Sequence, residues 1–148
     1  MLTLQKSTIH QLTILLNQNN IPQNEEFAID KLKQDSNNTF FWAPRLIVVD
    51  KLIVGMCGFK NLQKQDNYVE IGYGIIPSQQ RKGFATRAVE VLLIEAFSQI
   101  EIKSVIAHTA LSNYPSQRVL QKNGFIQQGS KIDLDDGELL IWQKYRSS

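Results

Sequence analysis

Apolar and polar residues change period along this chain, and the changes mark out its elements. Residues 2–4 are a short candidate strand. Over residues 8–16, Ile9, Leu12, Ile14, Leu15 and Leu16 fall at spacings compatible with a helix. A polar break at 17–20 and Ile21-Pro22 lead into a second helical segment over 24–34, closed by the turn cluster Asp35-Ser36-Asn37-Asn38. Three strand patterns then read as an antiparallel meander. The first, 40–49, is interrupted by Pro44 and so suits an edge or a bulge. The second, 52–59, follows a two-residue turn at Asp50-Lys51, and the third, 68–76, follows a polar loop over 60–67.

Helical period returns over residues 85–97, where Ala85, Ala88, Val89, Leu92, Leu93 and Ala96 form one stripe at steps of three and four. Residues 103–109 read as a strand and 115–122 as a short helix. That helix carries its own limits: Asn113 to cap it, Pro115 near its start and Gly124 to end it, with Phe125 packing back on Leu120. Residues 125–132 and 139–145 close the chain as a hairpin around Asp135-Asp136-Gly137.

Between the third strand and the long helix lies Gln80-Arg81-Lys82-Gly83-Phe84-Ala85. A small-residue turn that opens a helix leaves backbone N–H groups without intrahelical partners, all pointing one way. Together with the helix dipole they attract anions, and a phosphate or pyrophosphate is the simplest ligand. Charge agrees locally: between Ile71 and Val89 stand Arg81, Lys82 and Arg87, and no acidic residue. The alternative is a solvated basic surface.

Composition removes several classes. The chain has 148 residues, 43% of them hydrophobic and 20% charged, which suits one soluble globular domain over 1–148. No apolar run approaches the roughly 20 residues of a membrane span, and the first residues lack a secretory pattern. One cysteine and two histidines give neither a disulfide framework nor a metal-ligand spacing, so no metal is expected and a cytoplasmic setting is. A net charge of +2 does not by itself argue for nucleic acid. A Walker-type phosphate loop is ruled out by spacing, and Gly72 and Gly74 lack the third glycine of a dinucleotide fingerprint.

The turn 80–85 resembles the Gln/Arg-x-x-Gly-x-Gly/Ala turn of the GNAT superfamily of acyl-CoA-dependent N-acetyltransferases. Val69-Glu70-Ile71-Gly72-Tyr73 with Pro77 looks like the strand before that turn. Asn113 to Leu120 followed by Lys122-Asn123-Gly124-Phe125 is similar to the Asn-x-x-Ser and Lys-x-Gly-Phe segment of the ribosomal-protein N-acetyltransferase-like branch. The likeness is strong from about residue 46 onward and weaker before it. It implies an α+β fold of αβα layers, a mixed, largely antiparallel twisted sheet of about six to seven strands flanked by about four helices.

The resemblance also implies a chemistry: acetyl-CoA as co-substrate, an amine acceptor, and direct transfer in a ternary complex. Backbone N–H groups of Arg81, Lys82, Gly83, Phe84, Ala85 and Thr86 would hold the pyrophosphate, with the Thr86 hydroxyl as a further donor. Gly83 and Ala85 suit that role because bulkier side chains would bar phosphate from the backbone. The pantetheine arm would lie between the diverging strands 68–76 and 103–109, paired with backbone groups of Ile75 and Ile76 and bound by Asn113. Glu70 is the candidate general base, the alternative being a carboxylate that orders a loop or binds a substrate cation. Ser116 is the candidate for protonating the departing thiolate, the alternative being a hydroxyl satisfied within its own helix. Tyr114 is a lesser candidate acid. His108 is a candidate for facing the acceptor, or else an ordinary strand residue. Cys57 reads as core, and Trp42, Tyr73 and Trp142 as core or pocket wall. Acceptors range from a protein N-terminus to a small amine; no nucleic acid or membrane is expected, and family members occur as monomers and dimers. A non-catalytic acyl-CoA sensor or interaction module is the rival reading.

Overall fold

The structure, a computed structural model, describes residues 1–6, 45–63 and 67–147. The helices expected at 8–16 and 24–34, the breaks at 17–20 and 35–38, and residues 40–44 with Trp42 and Pro44 lie outside the described residues. Among the described residues are seven strands and two α-helices. The strands are β1 (Leu2–Lys6), β2 (Arg45–Val49), β3 (Leu52–Gln63), β4 (Tyr68–Ile75), β5 (Ser104–Ala110), β6 (Ile126–Asp133) and β7 (Gly137–Tyr145); the helices are α1 (Phe84–Phe97) and α2 (Tyr114–Lys122). The sheet order is β1-β2-β3-β4-β5-β7-β6. The β4–β5 pair is parallel, while β1–β2, β2–β3, β5–β7 and β6–β7 are antiparallel.

The chain divides into two compact units, Met1–Lys60 with Gly72–Ala88, and Asn61–Ile71 with Val89–Ser148. In the first, β2 turns into β3 through Asp50 and Lys51, both with positive φ (50° and 72°). That is the backbone a two-residue hairpin needs to match the strand twist. The register slips between Ile47↔Gly55 and Val48↔Ile53, leaving Val54 as the extra residue of a bulge. Val54 through Phe59 are all buried, as in a strand covered on both faces. A side chain at Gly55 would collide with the Gly74 carbonyl oxygen, so this glycine permits the close approach of β4 beside β3. Arg45 is fully buried with its guanidinium 5.0 Å from the centre of the Phe59 ring, a cation–π contact.

One boundary expectation is corrected. The polar stretch 60–67 is not a loop throughout, because Lys60 to Gln63 continue β3; residues 64–66 lie outside the described set and Asn67 is a turn. Ladder bonds are made by the backbone, so polar side chains do not end a strand that has a neighbour to pair with. The Lys60 side chain passes over Gly72, its Cε 2.9 Å from where a Cβ would stand.

In the second unit the period-two pattern is visible in burial along β5, where Val105, Ala107 and Thr109 alternate with the half-buried Ile106 and His108. Val69, Val105, Ala107, Thr109 and Trp142 are buried, and the indole Nε1 of Trp142 donates to Thr109 Oγ1 at 3.0 Å, satisfying a polar group that burial would otherwise penalise. Trp142 is therefore core. Along α1, Ala88, Val89, Leu92, Leu93 and Ala96 are buried while Arg87, Glu90 and Ile94 are exposed, so the expected stripe is the buried one except at its first member, Ala85, which is half-buried. Arg146 closes the end of this helix: its guanidinium donates to the carbonyls of Phe97 (2.8 Å), Gln99 (2.7 Å) and Ile102 (2.8 and 3.0 Å). A cation there meets the negative end of the helix dipole.

Candidate active site

The turn is built within the first unit. After β4 a single 3-10 turn, Pro77–Gln79, redirects the chain, and the Gln80 side chain donates from Nε2 to the Ile75 carbonyl at 3.1 Å. Arg81 (φ 64°) and Gly83 (φ 81°) are both left-handed. Left-handed residues in such a turn fold successive N–H groups around a concavity, the geometry of backbone anion nests. The bond from Arg87 N–H to the Gly83 carbonyl at 3.2 Å opens the α1 ladder, so the N–H groups of Phe84, Ala85 and Thr86 precede it. No acidic residue stands in this first turn of α1. Arg81, Lys82 and Gly83 are exposed, and Lys82 Nζ donates to Gln79 Oε1 at 3.0 Å.

A Cβ placed on Gly83 would meet nothing within 4 Å. The space over this backbone is open, and a side chain would fill it. Donor set, helix dipole, local charge and open space together fit a phosphate group. The backbone expected to hold pantetheine is more committed than the sequence suggested. Ile76 N–H donates to the Val54 carbonyl at 2.8 Å, and its carbonyl accepts from Gln79 N–H at 2.8 Å.

The remaining candidates fall in the second unit. Glu70 is buried on β4, the last of three residues paired in register with β5, where it faces Ile106. Its Oε1 lies 3.4 Å from Nδ1 of His108. Asn113 caps α2, its Oδ1 accepting the Ser116 N–H at 3.2 Å. The far end of α2 has the pair of hydrogen bonds expected of a left-handed glycine ending: Phe125 N–H donates to the Leu120 carbonyl and Gly124 N–H to the Gln121 carbonyl, each at 3.0 Å, with Gly124 at φ 83° and Leu120 and Phe125 both buried. Tyr114 is exposed and Cys57 is buried and in no disulfide. No metal-holding group of three or more His, Cys, Asp or Glu occurs among the described residues.

Two features escaped the sequence reading. Gln80 is a bracing side chain as well as part of the motif. Glu70 and His108 form a pair whose partnership depends on the parallel register, which no local spacing encodes.

A model of the acetyltransferase (GNAT) domain matches residues 7–126. The uncharacterized N-acetyltransferase YoaA of Bacillus subtilis (strain 168) is 34% identical over 79 residues, covering 53% of this chain and 45% of that protein. The ribosomal-protein-serine acetyltransferase of Escherichia coli (strain K12) is 25% identical over 84 residues, covering 57% of this chain and 47% of that protein. The chain thus spans about half the length of the curated relatives it matches. Among solved structures, the aminoglycoside acetyltransferase AAC(6')-Ib in complex with coenzyme A superimposes with a TM-score of 0.80 at 19% identity, covering 99% of this chain and 95% of that one. With the turn, the strand before it and the Asn113-capped helix all in place, the domain match identifies this chain as a member of the GNAT acetyltransferase family.

Proposed function

We propose that the protein is an acetyl-CoA-dependent N-acetyltransferase that moves an acetyl group to a primary amine by direct attack in a ternary complex. The observation that carries this reading is the Gly83 turn, with left-handed backbone and open space before three helix-opening N–H groups. Backbone N–H groups from Arg81 to Thr86 hold the pyrophosphate, while the Arg81 and Lys82 side chains add attraction that solvent and salt screen. The Ile75 and Ile76 carbonyls each already accept one bond and the Ile76 N–H is donated, so pantetheine at these groups uses a second carbonyl lone pair or displaces the Gln80 amide. Capping occupies Oδ1 of Asn113 and leaves its Nδ2 as the donor for the arm.

Acetyl-CoA supplies an acetyl group activated as a thioester. Glu70 removes a proton from the neutral acceptor amine as its nitrogen bonds to the carbonyl carbon, and the Ser116 hydroxyl delivers a proton to the sulfur as the carbon–sulfur bond breaks; the proton held by Glu70 returns through solvent to the serine oxygen, restoring both groups. A positioned acid or base of this kind contributes roughly 10²–10⁴ in rate.

Residues 1–148 act as one acetyltransferase domain on this reading, supported by a family match that draws on segments of both compact units. A protein N-terminal amine is the favoured acceptor, supported by the Asn113-x-x-Ser116 and Lys122-x-Gly124-Phe125 segments and by the ribosomal-protein relative. A cytoplasmic setting accords with the single cysteine, buried and in no disulfide; among the described residues no helix is long and apolar enough to cross a membrane.

The test is free-thiol release from acetyl-CoA across a panel of N-terminal peptides, an aminoglycoside and spermidine. Saturable release with at least one amine is expected. Coenzyme A binding without release for any amine would overturn the enzyme reading in favour of a sensor.

A further inference from the structure

Glu70 stands at the last rung of the β4–β5 ladder, opposite Ile106. Side chains two residues apart on a strand share a face, so Ile106 and His108 point the same way and His108 lies diagonally across from Glu70. The antiparallel ladder to β7, which pairs His108 with Ile141, sets the position of His108 from its other side. Two separate ladders therefore bring Nδ1 of His108 to 3.4 Å from Oε1 of Glu70, with side-chain exposures of 17% and 7%. A carboxylate so far removed from water needs partners for its lone pairs, and an imidazole N–H is one that persists without solvent.

Resting on the acetyltransferase reading above, we infer that His108 is a positioning residue for Glu70, its Nδ1–H donating to Oε1 and thereby fixing the plane of the carboxylate that receives the amine proton. Restricting that plane holds the remaining lone pairs in one direction, so the base does not have to be reoriented in each turnover. A separation of 3.4 Å is long for a closed hydrogen bond, and catalytic bonds of this kind shorten when substrates are bound.

Two measurements test the inference. The first is kinetic, using acetyl-CoA with the most active amine of the panel. His108→Ala is expected to lower kcat about 10-fold to 100-fold, part of the 10²–10⁴ a positioned base supplies, with KM for acetyl-CoA unchanged. His108→Asn, which keeps an N–H near the Nδ1 position, restores most of the rate. In a Glu70→Gln background His108→Ala has no further effect. Full turnover in His108→Ala, or an equal loss in the presence and absence of the Glu70 carboxylate, would overturn the role.

The second is ¹⁵N NMR of the imidazoles, assigned by the resonances that His108→Asn removes, since His10 is the other histidine. A protonated Nδ1 whose shift moves in Glu70→Gln is expected; an Nδ1 without a proton would overturn the contact. Absence of turnover in the unaltered protein with every amine would overturn the acetyltransferase reading itself. The spectra would still report separately on the pair.

Discussion

Gly83 and Glu70 divide the proposed labour between anchoring and chemistry, and each gives a variant with a distinct signature. At Gly83 the φ of 81° disfavours any L side chain, and the vacancy around a Cβ means that such a side chain would occupy the ligand's space rather than strike the fold. Gly83→Ala should therefore lower stability by about 1–2 kcal/mol, the backbone cost alone. It should weaken coenzyme A binding by about tenfold or more, equivalent to ~1.4 kcal/mol, as read by calorimetric titration. Gly83→Val should abolish binding, and retained affinity would remove the turn from the site. Glu70→Gln should do the reverse: coenzyme A affinity nearly unchanged, with turnover at neutral pH reduced about 10²-fold or more. Full activity in that variant would mean that Glu70 only orders its surroundings.

Among the elements, α1 shows most clearly how sequence becomes structure. Its buried stripe is legible in the spacing of Ala88, Val89, Leu92, Leu93 and Ala96, because a helix repeats every 3.6 residues whatever packs against it. Its C-terminal closure is not legible, because Arg146 lies 49 residues beyond Phe97 and reaches it only once β7 is in place. Arg146→Ala would strip the carbonyls of Phe97, Gln99 and Ile102 of a charged donor. A loss of about 1–3 kcal/mol is expected, read as a lower urea midpoint at constant slope. A midpoint unchanged within error would show that water replaces the guanidinium. The same distinction explains β3. Its core half follows from apolar residues, whereas Lys60 to Gln63 read as loop because pairing with a neighbouring strand is a tertiary fact. The cap and ending of α2 were legible because Asn113, Pro115 and Gly124 act within one helical turn of their own positions.

For the molecule as a whole, the order of elements from β2 to β7 and the family followed from local signals that agree with one another. The site was legible only in part. The anion turn is a contiguous motif, but the Glu70–His108 pair and the committed backbone of Ile76 arise from registers between distant strands. On the proposed reading the turn serves the donor, so acceptor choice is not written in it. The most direct test of the central claim is a mass-spectrometric time course of acetyl-CoA with a peptide bearing a free N-terminal amine, run with the unaltered protein, Glu70→Gln and Gly83→Val. The account predicts acetylated peptide and coenzyme A in equal amounts for the unaltered protein, slow formation with Glu70→Gln and none with Gly83→Val. Acetylation at the same rate in all three would contradict it.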